Sequence, residues 1–288
     1  MLGRFFLKLE SFFQKKMIKS WFAADIRRKI SCVESKLRID DDSKVINQLE
    51  KIKDHRSNSD VSQWVIANFI QEIWLGESPE DIKFIYLIDE IFKDKIDINT
   101  KVAKKVTNIL SAFRYLDGKI MELDTALVKS LHCVVGKDII EEAGIFRTNS
   151  VKATGCDLVY LAPNHIEEML GTLLKVIRDH MTTSENNTYK IFAGAAVFFS
   201  EFLLIHPFKN GNGRTARLLL NFILQKHVNI HFTLGGCSGN ENDYKKDRQM
   251  YLDVLNARND KITPPFYLAL YLMNSLKTLC STVQYLME

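Results

Sequence analysis

Apolar residues at helical spacing recur along almost the whole chain, and that repetition limits the fold more than any other feature. WVIANFIQEIWL, DIKFIYLIDEIF, KKVTNILSAFRYL, TALVKSLHCVV, HIEEMLGTLLKVIRDHM, AAVFFSEFLLI, ARLLLNFILQKH, RQMYLDVLNA and PPFYLALYLMNSL each read as a helix with an apolar face. The 13 Gly and 5 Pro among 288 residues are too few for the many tight turns of a sandwich or barrel. The predicted fold is therefore all-α, a helical bundle. With 46% hydrophobic residues it can bury at least one sizeable core. One stretch breaks the rule: RTNSVKATGCDLVYLAP carries Val, Val and Tyr around a Gly, which predicts a small β-hairpin.

The N-terminal segment has Leu2, Phe5, Phe6, Leu9, Phe12, Phe13, Met17, Trp21 and Phe22 at helical spacing, with Arg4, Lys8, Lys15 and Lys19 mostly off that stripe. A helix packing on the main domain is preferred here over a membrane or partner surface for residues 1–22. Lys8, Glu10, Gln14, Lys15 and Lys16 interrupt any signal-like apolar run, and no stretch has the length of a membrane span. The expected location is the cytosol, or a host cytosol if the protein is exported as an effector. A polar stretch ending in RSNSD sets a soft boundary near residue 60. This divides an N-terminal helical extension, 1–60, from the main domain, 61–288. The net charge of +4 is too mild and too evenly spread for a nucleic-acid partner. Cys32, Cys133, Cys156, Cys237 and Cys280 lie far apart with no zinc spacing, so reduced thiols are expected.

Chemistry concentrates in IHPFKNGNGRTARLLLNFIL, residues 205–224. An apolar helix ends at His206, because Pro207 disfavours helical geometry before itself. A Gly- and Asn-rich loop follows, and Arg214 is read as opening the next helix. Loop amides at a helix N-terminus make an anion site. Gly211 and Gly213 allow close backbone approach to phosphate, and Asn212 could add a side-chain amide donor. Arg214 and Arg217 share a helix face near its start and could hold further phosphate oxygens. His206, at the mouth of the loop, has the ordinary pKa of a general base near neutral pH, about 6.5.

HPFKNGNGRTAR resembles the signature of the Fic family, HPFx[D/E]GNGRxxR, at every fixed position but one. EEAGIFRTNSV resembles the family's G-x-[FY]-R segment leading into a flap hairpin. The resemblance runs from about residue 65 to the C-terminus. It implies a Fic-type helical bundle with one small hairpin, and a protein adenylyltransferase moving AMP from ATP to a Ser, Thr or Tyr hydroxyl of a target protein. It implies His206 as the base, Phe208 as a buried anchor, and Gly211, Asn212 and Gly213 as the hole for the α- and β-phosphates. Arg214 would assist that hole and Arg217 would hold the γ-phosphate. The flap around Lys152, Ala153, Thr154 and Gly155 would align the target as an added strand. Tyr251 and Asn256 fall near the adenine pocket. Mg²⁺ or Mn²⁺ would accompany ATP as co-substrate, and a homodimer stays open because many members pair.

The departure is Asn210, where the family has a metal-binding Asp or Glu. An amide oxygen binds Mg²⁺ more weakly than a carboxylate. Three outcomes follow: ATP used at reduced rate, another phosphate donor such as UTP or CDP-choline, or a catalytically weak interaction protein. A loose counterpart of the family's inhibitory helix, NFIQEIWLGES, offers Glu72 as the inhibitory candidate and Glu77 as a fallback. The same weak match, with the lost carboxylate, argues against the reverse reaction, removal of AMP. His132, in an apolar helix, is read as structural, and Arg147 as a tie between the flap base and the helices.

Overall fold

The structure is a computed structural model that describes residues 2–37, 66, 101–117, 119, 122–151, 160–184, 187–228 and 263–287. Among these, seven α-helices follow one another: α1 Leu2–Leu37, α2 Lys101–Asp117, α3 Thr125–Gly136, α4 Ile166–Thr183, α5 Thr188–Ile205, α6 Asn212–Val228 and α7 Thr263–Met287. A short 3₁₀ turn, Pro163–His165, leads into α4. The described residues contain no strand. The predicted hairpin falls on 152–159, outside them, but its two ends are paired, Tyr160 N–H donating to the Val151 carbonyl at 3.4 Å.

Helix α5 is the centre of the bundle, packed against α1, α4, α6 and α7. It is apolar on every side, and all its residues from Ile191 to Phe202 are buried. That composition also passes a length-and-hydropathy test for a membrane span, but 72% of the segment is buried inside the protein. Small residues let the neighbours close in. A Cβ on Gly194 would stand 2.6 Å from the His180 ring and 2.8 Å from the Met181 methyl. Asn187 caps α5, its side-chain oxygen accepting from Lys190 N–H at 3.0 Å. Asp124 caps α3 in the same way through Leu127 N–H at 2.7 Å.

Helix α1 joins the same core, through Ile26, Ile30, Val33 and Leu37. A buried charge pair fixes it to α5: Lys29 Nζ lies 2.6 Å from Glu201 and 2.9 Å from Asp25. The stripe read from sequence is therefore only partly the packing face. Phe22 packs on the core, whereas Met17 and Trp21 are 65% and 63% exposed. The described core residues of α1, from Phe22 to Leu37, form a face that Met17 and Trp21 do not share.

Candidate functional site

The site forms where α5 ends and α6 begins. Helix α5 stops because His206 turns left-handed, φ 50 and ψ 61, while its N–H still donates to Phe202 at 3.0 Å. Few non-glycine residues adopt that backbone, and it is held here from outside. Arg147 does most of the holding. Its Nε donates to the His206 carbonyl at 2.7 Å, Nη2 to Ile205 at 3.2 Å and to Leu161, and Nη1 to Asn149 at 2.9 Å. Its own N–H donates to the Pro207 carbonyl at 2.9 Å. One guanidinium thus joins Asn149 and Leu161, on either side of residues 152–159, to the C-terminal end of α5. It also places a cation where that helix exposes its last carbonyls. Arg147 is only 2% exposed.

The loop after His206 closes on itself. Asn212 Oδ1 accepts from Phe208 N–H at 3.0 Å, and Asn212 Nδ2 donates to the Phe208 carbonyl at 2.8 Å. This corrects the sequence-based use of that side chain: it is a clamp across the loop rather than a donor facing outward. The backbone N–H of Asn212 still opens α6, two residues earlier than the expected start at Arg214. Thr215 explains the earlier start. Its N–H and its hydroxyl both donate to the Gly211 carbonyl, at 3.1 and 3.0 Å, which winds the first turn at residue 211. The N–H groups of Asn212 and Gly213 then lie at a helix N-terminus, where negative charge is favoured.

Two positions set the shape of this loop. Gly211 has φ +77, and a Cβ there would stand 3.0 Å from Ile140 and 3.1 Å from His132 Nε2. His132 is fully buried, and its Nδ1 accepts from Gly144 N–H at 2.7 Å. The ring proton therefore sits on Nε2, which donates to the Asn210 carbonyl at 2.9 Å. The same ring stacks on Phe208 at 3.7 Å between centroids, and Phe146 tilts against Phe208 from the other direction. His132 and Phe208 are thus the loop's foundation, and the core role read for His132 agrees with this packing.

Arg214 and Arg217 are 3% and 7% exposed, on the first turns of α6. Arg214 curls over the loop: its Nη2 would be 3.6 Å from a Cβ at Gly211. Asn210 is exposed, and its Oδ1 accepts from Gly211 N–H at 2.7 Å. Its side-chain oxygen is therefore uncharged and already engaged, a poor match for a resident Mg²⁺. Among the described residues no cluster of His, Cys, Asp or Glu could hold a metal ion. The flap residues Lys152, Ala153, Thr154 and Gly155, the nucleotide-side pair Tyr251 and Asn256, and Glu72 and Glu77 lie outside the described residues.

The His206 ring is the chemically distinctive group. Burial pushes its pKa down to about 4, Arg147 pushes the same way, and the nearby Leu203 carbonyl works against both. Nδ1 is enclosed and makes no hydrogen bond of full geometry, so Nε2 is the nitrogen left to meet a hydroxyl. Tyr160 covers the ring, stacked at 3.8 Å and 13°. Sequence reading missed Tyr160 and Thr215. The only available signals were an aromatic residue at the end of the hairpin pattern and a Thr inside the loop motif.

The pKa of His132 is also lowered, by burial first and by Arg214, against its bond to Asn210. Both rings are thus neutral in the fold at a pH where the unfolded chain takes up protons, near 6.5. Their contribution to stability is full above about pH 6.5 and is lost as pH falls towards the folded value, about 4 for His206. Urea midpoints are expected to drop between pH 7 and pH 4.5, with a shallower drop in His206→Ala. Equal slopes in the two proteins would remove the assignment to His206.

Residues 122–224, which include the His206 loop, Arg147 and the hairpin segment, match the family model "Fic/DOC family". Residues 122–224 are a Fic domain. In fold the chain is similar to a Fic family protein from Desulfovibrio desulfuricans, with a TM-score of 0.66 at 14% identity, covering 91% of this chain and 74% of that one. It is also similar to Fic-1 of Caenorhabditis elegans, with a TM-score of 0.58 at 19% identity, covering 94% of this chain and 75% of that one. Those two likenesses concern the fold alone. Among curated relatives, the Fic domain is similar to the protein adenylyltransferase Fic of Nematostella vectensis, 28% identical over 187 residues. That alignment covers 59% of this chain and 39% of the relative. It is also similar to a probable protein adenylyltransferase of Sinorhizobium fredii, 32% identical over 105 residues, covering 35% of this chain and 53% of the relative. The chain thus spans about half or less of the length of these relatives.

Proposed function

We propose that this Fic domain transfers AMP from ATP to a Ser, Thr or Tyr hydroxyl of another protein. One observation carries the reading: an uncharged His206 imidazole at the end of α5, joined by a five-residue loop to the N-terminus of α6. In the proposed step His206 Nε2 takes the hydroxyl proton and the oxygen bonds to the α-phosphorus. The bond from that phosphorus to the β-phosphate oxygen breaks, and pyrophosphate leaves. The Asn212 and Gly213 amides with Arg214 and Arg217 are the proposed partners of the phosphate oxygens, so catalysis is mainly positioning and electrostatics. Mg²⁺ or Mn²⁺ is proposed to arrive with the triphosphate rather than in a resident site. The adenylyltransferase names of the relatives from Nematostella and Sinorhizobium support the choice of AMP.

A second reading rests on Asn210. Its engaged amide oxygen would favour a donor less dependent on a metal at the α- and β-phosphates, such as CDP-choline or UTP, or binding with little turnover. The deciding test is calorimetric binding of ATP, GTP, UTP and CDP-choline with and without Mg²⁺, followed by transfer of labelled ATP to lysate proteins. ATP is expected to bind with weak Mg²⁺ dependence, and Asn210→Asp to raise that dependence about tenfold. Preference for UTP or CDP-choline would replace the AMP reading, and binding without transfer would favour the interaction protein.

A further inference from the structure

The geometry points to Tyr160 as a positioning residue for the base: its ring lies flat on the His206 imidazole and fixes the plane in which Nε2 meets the target hydroxyl. This rests on the proposed role of His206.

Tyr160 is paired with Val151, its N–H donating to the Val151 carbonyl at 3.4 Å. Three links fasten that point to the end of α5. Leu161 N–H reaches the Leu204 carbonyl at 3.5 Å. Arg147 bridges the Leu161 carbonyl to those of Ile205 and His206. The third link is the ring stack, centroids 3.8 Å apart and planes 13° from parallel. The first two links hold backbone only. They do not touch the imidazole, whose Nδ1 is enclosed beside the Leu203 carbonyl without a hydrogen bond of full geometry. A base works only when its lone pair lies within hydrogen-bond reach and direction of the proton it takes. Among the described contacts, the stack is the one made on the face of the ring, and it adds to the Leu203 carbonyl in holding the ring plane. It also keeps water from one face, which adds to the burial that holds the ring neutral. Among the described residues, the charged or titratable groups facing the imidazole are the Arg147 guanidinium and the Tyr160 phenol. Arg147 and Tyr160 also act on each other electrostatically.

The inference separates the ring face from the hydroxyl. Tyr160→Phe keeps the face, Tyr160→Leu keeps bulk without a flat ring, and Tyr160→Ala keeps neither. In the full chain, the His206 ring protons would be titrated by NMR, alongside steady-state transfer of labelled AMP. Tyr160→Phe is expected to match wild type in both. Tyr160→Leu and Tyr160→Ala are expected to titrate closer to the ordinary histidine value of about 6.5 and to lose about tenfold or more in kcat, with KM for ATP unchanged. Rescue by Phe with failure of Leu distinguishes positioning from simple packing. Should Tyr160→Ala not fold, Tyr160→Leu against Tyr160→Phe carries the same comparison. Unchanged titration and kcat in Tyr160→Leu would overturn the assignment. If wild type transfers nothing to any lysate protein, the AMP reading fails, while the NMR comparison still decides whether Tyr160 sets the environment of the ring.

Discussion

His206→Ala is expected to lower AMP transfer by about 10²- to 10⁴-fold while leaving the helical fold and nucleotide binding in place. The ring is poised for that role because it is neutral well below physiological pH, so no fraction is lost to the protonated form. The proposed phosphate-binding elements are separate from it: the first turn of α6 is wound by Thr215 on the Gly211 carbonyl and the loop is held by His132 at the Asn210 carbonyl, and neither bond uses the imidazole of His206. Binding of ATP should therefore change less than threefold. The substitution also removes a buried polar group, so the urea midpoint should not fall sharply. The measurement is single-turnover transfer of labelled AMP beside calorimetric ATP binding. Full activity in the variant would remove His206 as the base. Loss of binding and turnover together would mean that the loop itself had collapsed.

Arg147→Ala should have the largest effect on stability. The guanidinium donates to the carbonyls of Asn149, Leu161, Ile205 and His206, and the side chain is 98% removed from solvent. Each carbonyl left without a donor costs about 1–3 kcal/mol where water cannot reach it. Some will hydrate once the side chain is gone, so a net loss of roughly 3–5 kcal/mol is expected. The effect should reach function as well, because the left-handed turn at His206 and the foot of the hairpin segment lose their common tie. Arg147→Lys keeps the charge but cannot spread donors over four carbonyls, and should recover only part of the loss. Urea denaturation and AMP transfer on the same samples test this. A change below about 1 kcal/mol for Arg147→Ala would show that the carbonyls find other donors.

The bundle was legible because helical periodicity is a local property. KKVTNILSAFRYL, HIEEMLGTLLKVIRDHM and ARLLLNFILQKH each show their apolar face within four turns, and α2, α4 and α6 lie over those segments. The loop was legible for a similar reason. His206, Pro207, Gly211 and Gly213 sit within eight residues, and each restricts the backbone in its own way. The identity of α5 as the central helix was less visible, because a helix apolar on all sides fixes burial without naming its neighbours. The N-terminal stripe misled for the same cause: periodicity marked Met17 and Trp21 as apolar but could not say that α1 meets its partners further along.

What the sequence by itself determined is the set of helices and the loop that breaks α5 from α6, since both follow from residue types a few positions apart. Only the tertiary structure decided how the loop's groups are used. Asn212 turned inward to clamp Phe208, His132 came from 78 residues away to hold Asn210, and Arg147 and Tyr160 crossed from the hairpin segment to fix His206. Those choices depend on which donor and which ring face happen to meet once the helices have packed, and no short-range pattern records that.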